Sequence, residues 1–335
     1  MGTNNVFPRS GERISKLGFG AMGLSGSFGS YDDEYLIRSV LLALDGGINF
    51  IDTARAYGRS EELVGKALKQ WTGERPFVAT KVAAQPAPAP ASYPPGSGWH
   101  APVPVEVAYP RGMLRTSVLE SLQQLGLEQL DLIQLHQYWA HWDDSDYWME
   151  ELLRLQEEGL VRYIGISVPD HRHELAIALV RSGKIDAVQT LFNIFDPLAL
   201  DCLIPICRQH QVAVIARIIL DEGGLTGFLK ADTHIAEGDF RANYFDVLPR
   251  SIYIDKINAL QTFIPQYAES LAELAIRFAL QPEGITTAIT SMHVHEFIRP
   301  NLEAAARPEL PQEVFELLRN KHRWIRNFYQ ARRYL

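Results

Sequence analysis

Several short apolar segments of this 335-residue chain end in side chains that can exchange protons. Asp52, Lys81 and His136 each stand at or just after the end of such a segment, and Tyr57 follows Asp52 by five residues. If these segments are strands of one parallel sheet, their carboxyl ends bring the four side chains to a common face. The pattern predicts one site of acid–base chemistry.

These residue types suit the protonation of a developing alkoxide. An unperturbed phenol has a pKa near 10, so Tyr57 needs help to release its proton near neutral pH. An ammonium group at ~4 Å stabilises the phenolate by about 4 kcal/mol, or roughly three pKa units. Burial opposes this effect, so we expect a smaller net fall in the pKa of Tyr57. Asp52 would supply the counter-charge for Lys81, and His136 could orient a carbonyl oxygen or share its proton.

Short apolar strands alternate with amphipathic helices along the whole chain. This alternation favours an α/β fold with a parallel sheet. Eight strand–helix units favour a closed (β/α)8 TIM barrel, and a doubly wound open sheet is the alternative if elements are miscounted. The predicted strands are 17–22, 48–51, 77–81, 130–135, 161–166, 185–189, 212–216 and 287–290.

Two long stretches, 84–112 and 221–265, interrupt this rhythm after the third and seventh strands. In a barrel both lie on the face that carries the active site, where loops set specificity. The first stretch is rich in proline and contains Trp99, whereas Trp139 closely follows His136. We expect Trp99 and Trp139 to line a substrate pocket.

Composition limits the classes of partner. A chain with 47% hydrophobic residues can bury a large core, and a single α/β barrel often has this length, so we expect one domain, 1–335. A net charge of -8 argues against nucleic acid or an anionic membrane as partner. The start lacks the features of a signal peptide, so a cytoplasmic location is expected. A homo-oligomer is possible, and the sequence does not decide the oligomeric state.

Two pairs of residues that could in principle bind a metal ion are not expected to do so. Cys202 and Cys207 lie five residues apart in a predicted helix and point in different directions; buried thiols are expected rather than a disulfide. His293 and His295 lack further clustered ligands, so no metal site is expected. His171, at the start of another predicted helix, is expected to be solvated together with His173.

The glycine-rich segment 18–23 matches the G-x-G-x-x-G pattern of dinucleotide-binding folds. That fingerprint requires a helix to start within the motif, so that its N-terminus meets the pyrophosphate. A Gly- and Ser-rich loop follows instead, and Asp45, at the position of the usual acid, falls near a helix end. The motif predicts close approach of backbone to a ligand without a Rossmann fold.

Taken in order, several motifs resemble the aldo-keto reductase superfamily over nearly the whole chain, including its bacterial and fungal members and the channel β-subunit branch. The resemblance implies a TIM barrel that binds NADP(H) in an extended form. It also implies a catalytic tetrad of Asp52, Tyr57, Lys81 and His136, with Tyr57 as the acid in reduction or the base in oxidation. The matching segments are 17–22, 49–54, 57–61, 80–82, 121–122, 125–127, 131–136 and 165–167.

The same resemblance implies a cofactor site. Ser167 and Gln189 match residues that bond the nicotinamide amide, although Val168 replaces the usual asparagine, and Phe192 stands where an aromatic ring stacks on the nicotinamide. The other residues implied at this site are Gly20, Ala21, Met22, Arg217, Leu220, Gly223, Ser291, His293 and Asn301.

Two positions depart from the family pattern. Arg217 opens the segment that resembles the pyrophosphate-binding loop; it could pair with phosphate, with a substrate carboxylate, or with Asp221 or Glu222. No Lys or Arg occurs between Thr290 and Ile298, where a basic residue usually binds the 2′-phosphate. NADP(H) is the first expectation, and NAD(H) stays open.

Three functional hypotheses follow. The first is an NAD(P)H-dependent reductase of aldehydes, ketones or sugar carbonyls, with Tyr57 as the proton donor. The second is the same chemistry in reverse, an NAD-dependent sugar or alcohol dehydrogenase. The third is a non-enzymatic nucleotide-sensing partner protein, similar to the channel-associated members of the superfamily.

Overall fold

Eight parallel strands close into a barrel in the computed structural model, which describes residues 4–86, 103–245 and 248–325. A short hairpin of β1 (Asn4–Val6) and β2 (Arg13–Ser15) precedes the barrel. Each barrel strand pairs in parallel with the next, and the last pairs with the first, which confirms the predicted (β/α)8 fold. The barrel strands are β3 (Leu17–Gly20), β4 (Phe50–Asp52), β5 (Phe77–Val82), β6 (Leu130–Leu135), β7 (Val161–Ser167), β8 (Ala187–Leu191), β9 (Ala213–Arg217) and β10 (Thr287–Ser291).

Helices follow the strands and bury one face against them. In the first helix Leu36, Val40 and Leu44 are buried at helical spacing, and Asp32 caps it by accepting a hydrogen bond from the backbone N–H of Tyr35. The helices are α1 (Asp33–Asp45), α2 (Ser60–Gln70), α3 (Val105–Ala108), α4 (Met113–Leu125), α5 (Tyr147–Glu157), α6 (Ile177–Ser182), α7 (Leu198–Gln209), α8 (Phe240–Phe245), α9 (Arg250–Leu260), α10 (Leu271–Leu280), α11 (His295–Ala306) and α12 (Gln312–Lys321).

An apolar plug fills the amino-terminal end of the barrel. Inward-facing side chains from alternate strand positions, such as Phe50 and Phe77, form this inner core. Phe7 and Ile14 join it from the hairpin, and the Phe7 ring lies 5.1 Å from the ring of Phe77. The hairpin therefore seals this end of the barrel, which leaves the carboxyl ends of the strands to form a site.

The predicted long connections after the third and seventh barrel strands are present. The connection after β5 contains α3, and Trp99 falls in the part of it that lies outside the described residues. The connection after β9 contains α8 and α9. Both start at the carboxyl end of the barrel, as expected.

The segment after β7 differs from its prediction. A single helix was expected from Arg172, with His171 and His173 solvated, but the chain turns at His171 (φ 62°) and a separate short turn precedes α6. His171 Nδ1 lies 2.5 Å from a carboxylate oxygen of Asp196, and His173 Nδ1 lies 2.7 Å from Thr190 Oγ1. His173 Nε2 also lies 3.5 Å from Asp196 Oδ1, so both rings face this carboxylate in the connection after β8.

Both cysteines are free thiols in α7. Cys207 is buried as expected, whereas Cys202 is only partly buried. Among the helices of the described residues, none combines the length and the apolar character needed to span a bilayer.

We expect Phe7→Ala to lower the free energy of unfolding by about 3–5 kcal/mol, because it leaves a cavity in the plug. Val6→Ala, at the exposed neighbouring position, is the matched control and should change it by less than about 0.5 kcal/mol. Chemical denaturation monitored by tryptophan fluorescence measures both. Equal effects would show that the hairpin does not seal the barrel.

Candidate active site

The inward rows of the strands deliver the predicted side chains to the carboxyl end of the barrel. Phe77 and Ala79 face the inner core, so Lys81, two residues further along β5, faces the same way. Asp52 follows Phe50 on β4 by the same rule. The strand geometry therefore places both side chains above the apolar plug.

Lys81 uses all three donors of its ammonium group within this site. Its Nζ donates to Asp52 Oδ2 at 2.5 Å, to the carbonyl oxygen of Thr53 at 2.9 Å and to Tyr57 Oη at 3.4 Å. The side chains of Lys81 and Asp52 are 0% and 2% exposed. The expected counter-charge is confirmed, and the pair is buried.

Asp52 is bound on its other side by two amides. Its Oδ1 accepts hydrogen bonds from Gln189 Nε2 at 2.8 Å and from Gln134 Nε2 at 3.5 Å. Gln134 was missed in the sequence, although its position two residues before His136 on β6 indicates the same inward row. These two hydrogen bonds offset part of the desolvation cost of the buried carboxylate.

His136 completes the predicted group. Its ring lies edge-on to the Tyr57 ring, with centroids 5.4 Å apart and an interplanar angle of 81°. Tyr57 is held in a turn in which its backbone N–H donates to the carbonyl oxygen of Ala54. The structure therefore brings Asp52, Tyr57, Lys81 and His136 together.

The protonation states follow from burial and charge. Burial raises the pKa of Tyr57 above 10, and the attraction of Lys81 offsets only part of that rise. The expected net fall in the pKa of Tyr57 is therefore wrong, because burial outweighs the attraction of Lys81 and the charge of Asp52 opposes that attraction. Burial alone would lower the pKa of Lys81, but Asp52 holds it above 10.5. Burial, with Lys81 and Arg217, lowers the pKa of His136 well below 6.5, so its imidazole is neutral at pH 7.

Two predicted nicotinamide ligands lie side by side. Ser167 and Gln189 are paired in the register of β7 and β8, and both are buried. Phe192 is not brought to this place: it is fully buried and stacks on Phe278 of α10, with ring centroids 5.6 Å apart. The reason is strand alternation, since Gln189 faces inward and a residue three positions later faces the helices.

Arg217 ends β9 on the inward row, two residues after Ile215 of the inner core. Its Nη2 lies 2.6 Å from Asp170 Oδ1 and donates to the carbonyl oxygen of Val168 at 2.9 Å. An ion pair had been one expectation, but with Asp221 or Glu222. The partner is Asp170 because the guanidinium extends across β8 to the connection after β7.

The loop after Arg217 is held in an uncommon conformation. Ile218, Asp221 and Glu222 all have φ between 52° and 57°, and Gly223 has φ 98°. Asp221 is fixed by the hydroxyl groups of Tyr244 and Tyr253, which donate to its carboxylate. Such strain is typical of functional loops, and this is the segment of the predicted ligands Leu220 and Gly223.

Burial, with Asp170 and Asp221 nearby, raises the pKa of Glu222 to about 7. Arg217 and Arg241 oppose this rise. Sequence reasoning did not single out this titration, because it depends on carboxylates from two separate connections.

The connections after the first and last barrel strands meet at Gly23. A Cβ atom there would lie 2.2 Å from His293 Nδ1 and 2.4 Å from Ser291 Oγ, so any larger residue would displace these two side chains. Gly20 pairs with Ser291 in the strand register, and Ala21 and Met22 start the turn that contains Gly23. The structure brings these predicted ligands to one side of the mouth, and the glycine motif opens a 3-10 turn rather than the long helix of a Rossmann fold.

The proposed adenine end is the segment from Ser291 into α11, where the 2′-phosphate was expected, together with the neighbouring Arg241. Its cations are already paired. Arg299 is 88% exposed and pairs with Glu303, whereas Arg241 pairs with Asp239 at 2.6 Å. Burial, with Arg241 nearby, lowers the pKa of His293 to about 4, so this ring is neutral at pH 7. His295 stacks on Tyr35, with centroids 3.7 Å apart. Asn301 is buried in α11, and Phe297 of the same helix is 53% exposed.

Trp139, which was expected to line a substrate pocket, is 7% exposed, and its indole N–H finds no acceptor among residues 4–86, 103–245 and 248–325. The guanidinium of Arg172 lies 5.8 Å from its ring. Within the same ranges, no three His, Cys, Asp or Glu side chains are grouped so that they could hold a metal ion.

Comparison with known proteins agrees with this geometry. The model of the "Aldo/keto reductase family" matches residues 16–323. The NADH-specific methylglyoxal reductase of Escherichia coli (strain K12) is 27% identical over 314 residues, covering 87% of this chain and 90% of that protein.

Two solved structures are similar in fold. Aldo-keto reductase AKR11C1 from Bacillus halodurans (holo form) has a TM-score of 0.74 and 25% identity, with 99% of this chain and 100% of that chain covered. The glycerol dehydrogenase AKR11B4 from Gluconobacter oxydans has a TM-score of 0.73 and 23% identity, with 95% of each chain covered. The chain therefore belongs to the aldo/keto reductase family and is an NAD(P)-dependent oxidoreductase.

Proposed function

We propose that this protein reduces the carbonyl group of an aldehyde, ketone or sugar, with Tyr57 as the proton donor. The observation that carries the proposal is the Lys81 ammonium, which bonds both Asp52 and Tyr57 at the mouth of the barrel. Bound nicotinamide would supply the hydride. Ser167 and Gln189 fit its carboxamide, because a hydroxyl and an amide can both donate and accept hydrogen bonds.

Side chains of the protein orient the carbonyl group, donate the proton and stabilise the phenolate. The neutral imidazole of His136 can donate one N–H to the carbonyl oxygen and orient it. Tyr57 then gives its proton to the developing alkoxide. Lys81 stabilises the phenolate that is left, since its ammonium stays charged beside Asp52. Positioning and a preorganised cation together lower the barrier.

The pKa of Tyr57 favours reduction over the alternative dehydrogenase. A pKa above 10 keeps the phenol protonated at neutral pH, as a proton donor requires. Oxidation of an alcohol would need the phenolate, which burial disfavours. The sensor alternative retains weaker support, since the complete set of catalytic groups is bonded as a reductase needs.

We further propose NAD(H) as the cofactor, in place of the first expectation of NADP(H). The support is the charge at the adenine end: His293 is neutral, and Arg241 and Arg299 are already paired with carboxylates. A 2′-phosphate would find no unpaired guanidinium among these groups, whereas a ribose hydroxyl needs none. The similarity to a protein named an NADH-specific reductase points the same way.

We expect Tyr57→Phe to lower kcat/KM for carbonyl reduction by about 10²–10⁴-fold, because it removes the general acid. The Kd for NADH, measured by fluorescence titration, should change little. Tyr163→Phe is the matched control, since it removes a phenol that contacts the plug at the opposite end of the barrel. Turnover at the wild-type rate in Tyr57→Phe would refute the mechanism.

The pH dependence should separate chemistry from cofactor binding. Because Tyr57 stays protonated and His136 neutral, we expect the single-turnover rate at saturating NADH to stay flat between about pH 7 and 9. Glu222 is protonated below its pKa of about 7 and ionised above it. Its ionisation adds negative charge beside Arg217, so the Kd for NADH should rise across that pH.

Glu222→Gln should remove the rise in Kd with pH. A titration near pH 7 that persists in Glu222→Gln would show that another group is responsible. A fall in the saturated rate within the same window would contradict the assigned state of Tyr57.

We expect NADPH to bind at least about tenfold more weakly than NADH, a difference of about 1.4 kcal/mol. Phe297→Arg places a guanidinium in the first turn of α11 and should narrow the gap by improving NADPH binding. Leu317→Arg adds the same charge on α12 and serves as the control. Calorimetric titration of both nucleotides measures the effect, and tighter binding of NADPH by the wild type would exclude the proposal.

A further inference from the structure

We propose that Arg217 binds a carboxylate group of the substrate, so that the preferred substrates are carbonyl compounds that also carry a carboxylate. The inference rests on the proposed reductase function and specifies its substrate class.

The position of Arg217 is the first argument. It lies on the inward row of β9, beside the catalytic groups rather than on the helix side. Its positive charge opposes the rise in the pKa of Tyr57 and contributes to the low pKa of His136. A cation placed here faces the reacting end of a bound substrate.

The direction of the side chain is the second argument. From β9 the guanidinium extends across β8 to Val168 and Asp170, which follow β7. Because β9 lies between β8 and β10, the side chain leans away from β10 and from the proposed adenine end. This direction favours a ligand at the reacting end over the pyrophosphate.

The donors of Arg217 are the third argument. Its contacts with Val168 and Asp170 both use Nη2. Within the described ranges, Nη1 and Nε make no further hydrogen bond. Nη1 carries two N–H groups, and either can donate to a carboxylate oxygen. The ion pair with Asp170 fixes the orientation of the guanidinium.

The backbone around Arg217 is also fixed before any ligand binds. Its carbonyl oxygen accepts from the N–H of Phe192 at 3.1 Å, and Asn193 Nδ2 donates to the carbonyl oxygen of Ile218 at 2.9 Å. A preorganised guanidinium loses little conformational freedom on binding an anion.

Trp139 supplies a second, independent observation. Its buried indole N–H has no acceptor in the part of the chain that the structure describes. Trp139 contacts Arg172, and Arg217 contacts Asp170, so both flank the short segment 168–172. A buried donor without a partner indicates an acceptor supplied by a ligand, such as an oxygen atom of the same substrate.

The test compares each acid with its neutral primary amide, which has nearly the same shape. Suitable pairs are succinic semialdehyde with its amide, and para-carboxybenzaldehyde with para-formylbenzamide. The ratio of kcat/KM for acid to kcat/KM for amide isolates the effect of the charge, because changes in Tyr57 or in NADH binding affect both members. If Arg217 donates a charged hydrogen bond to the carboxylate, the wild type should show an acid-to-amide ratio of about 10–100 for at least one of the two pairs of compounds.

Three variants test whether the acid-to-amide ratio depends on Arg217 and on its ion pair with Asp170. Arg217→Met should bring the ratio close to one, and Arg217→Lys should retain part of the preference, because it keeps the charge but loses the planar guanidinium that Asp170 orients. Asp170→Asn removes a competing negative charge and should raise the ratio several-fold. These opposite shifts are not expected from a general loss of stability.

The outcomes distinguish this inference from the proposed function. If Tyr57-dependent turnover is present but acids and amides are reduced equally in the wild type, the role of Arg217 is overturned while the reductase stands. If Arg217→Met weakens NADH binding and leaves the ratio unchanged, Arg217 serves the cofactor and the inference is wrong. If no carbonyl in the panel shows Tyr57-dependent reduction, the proposed function itself fails.

Discussion

The buried ion pair between Lys81 and Asp52 is the constraint on which the rest of the site depends. Desolvation costs several kcal/mol for each charge, so such a pair is stable only if its remaining hydrogen-bonding capacity is satisfied. Thr53 and Tyr57 complete the bonding of Lys81, and Gln134 and Gln189 that of Asp52. Gln134 and Gln189 come from β6 and β8, and a shift of one residue in either strand would turn its amide toward the helices. The pair thus constrains the register of these strands and the position of Tyr57, the proposed proton donor.

The pair also explains why Tyr57 keeps its proton. A lone ammonium group near a phenol would lower the pKa of that phenol strongly. Asp52 cancels much of this field, and burial then sets the direction of the shift. In the proposed mechanism the ammonium acts most strongly after proton transfer, when the phenolate has formed beside it. Stabilisation that appears only as the reaction proceeds accelerates it more than stabilisation of the resting state.

Sequence reasoning succeeded where a local pattern sets the outcome and failed where distant residues meet. Asp52, Lys81 and His136 could be located because each follows a short apolar segment that is recognisable as a strand in the sequence. The hairpin that holds Phe7 was missed because its three-residue strands are too short for any period. Phe192 was assigned to the mouth by resemblance, whereas strand alternation turns it outward. The ion pair between Arg217 and Asp170 joins the end of β9 to the connection after β7, and nothing in either segment predicts it.

The pairing of cations around the mouth limits how this protein can select its ligands. Lys81, Arg217 and Arg241 are paired with Asp52, Asp170 and Asp239 respectively, and the chain as a whole carries a net charge of -8. Long-range attraction of anions is therefore weak, and recognition depends on short, directed hydrogen bonds. A 2′-phosphate would add about two negative charges with no unpaired cation among these groups. In the proposal for Arg217, a substrate carboxylate needs only the unused Nη1 donor of one oriented guanidinium. The same distribution of charge therefore supports both proposals, NAD(H) as the cofactor and a substrate that carries a carboxylate.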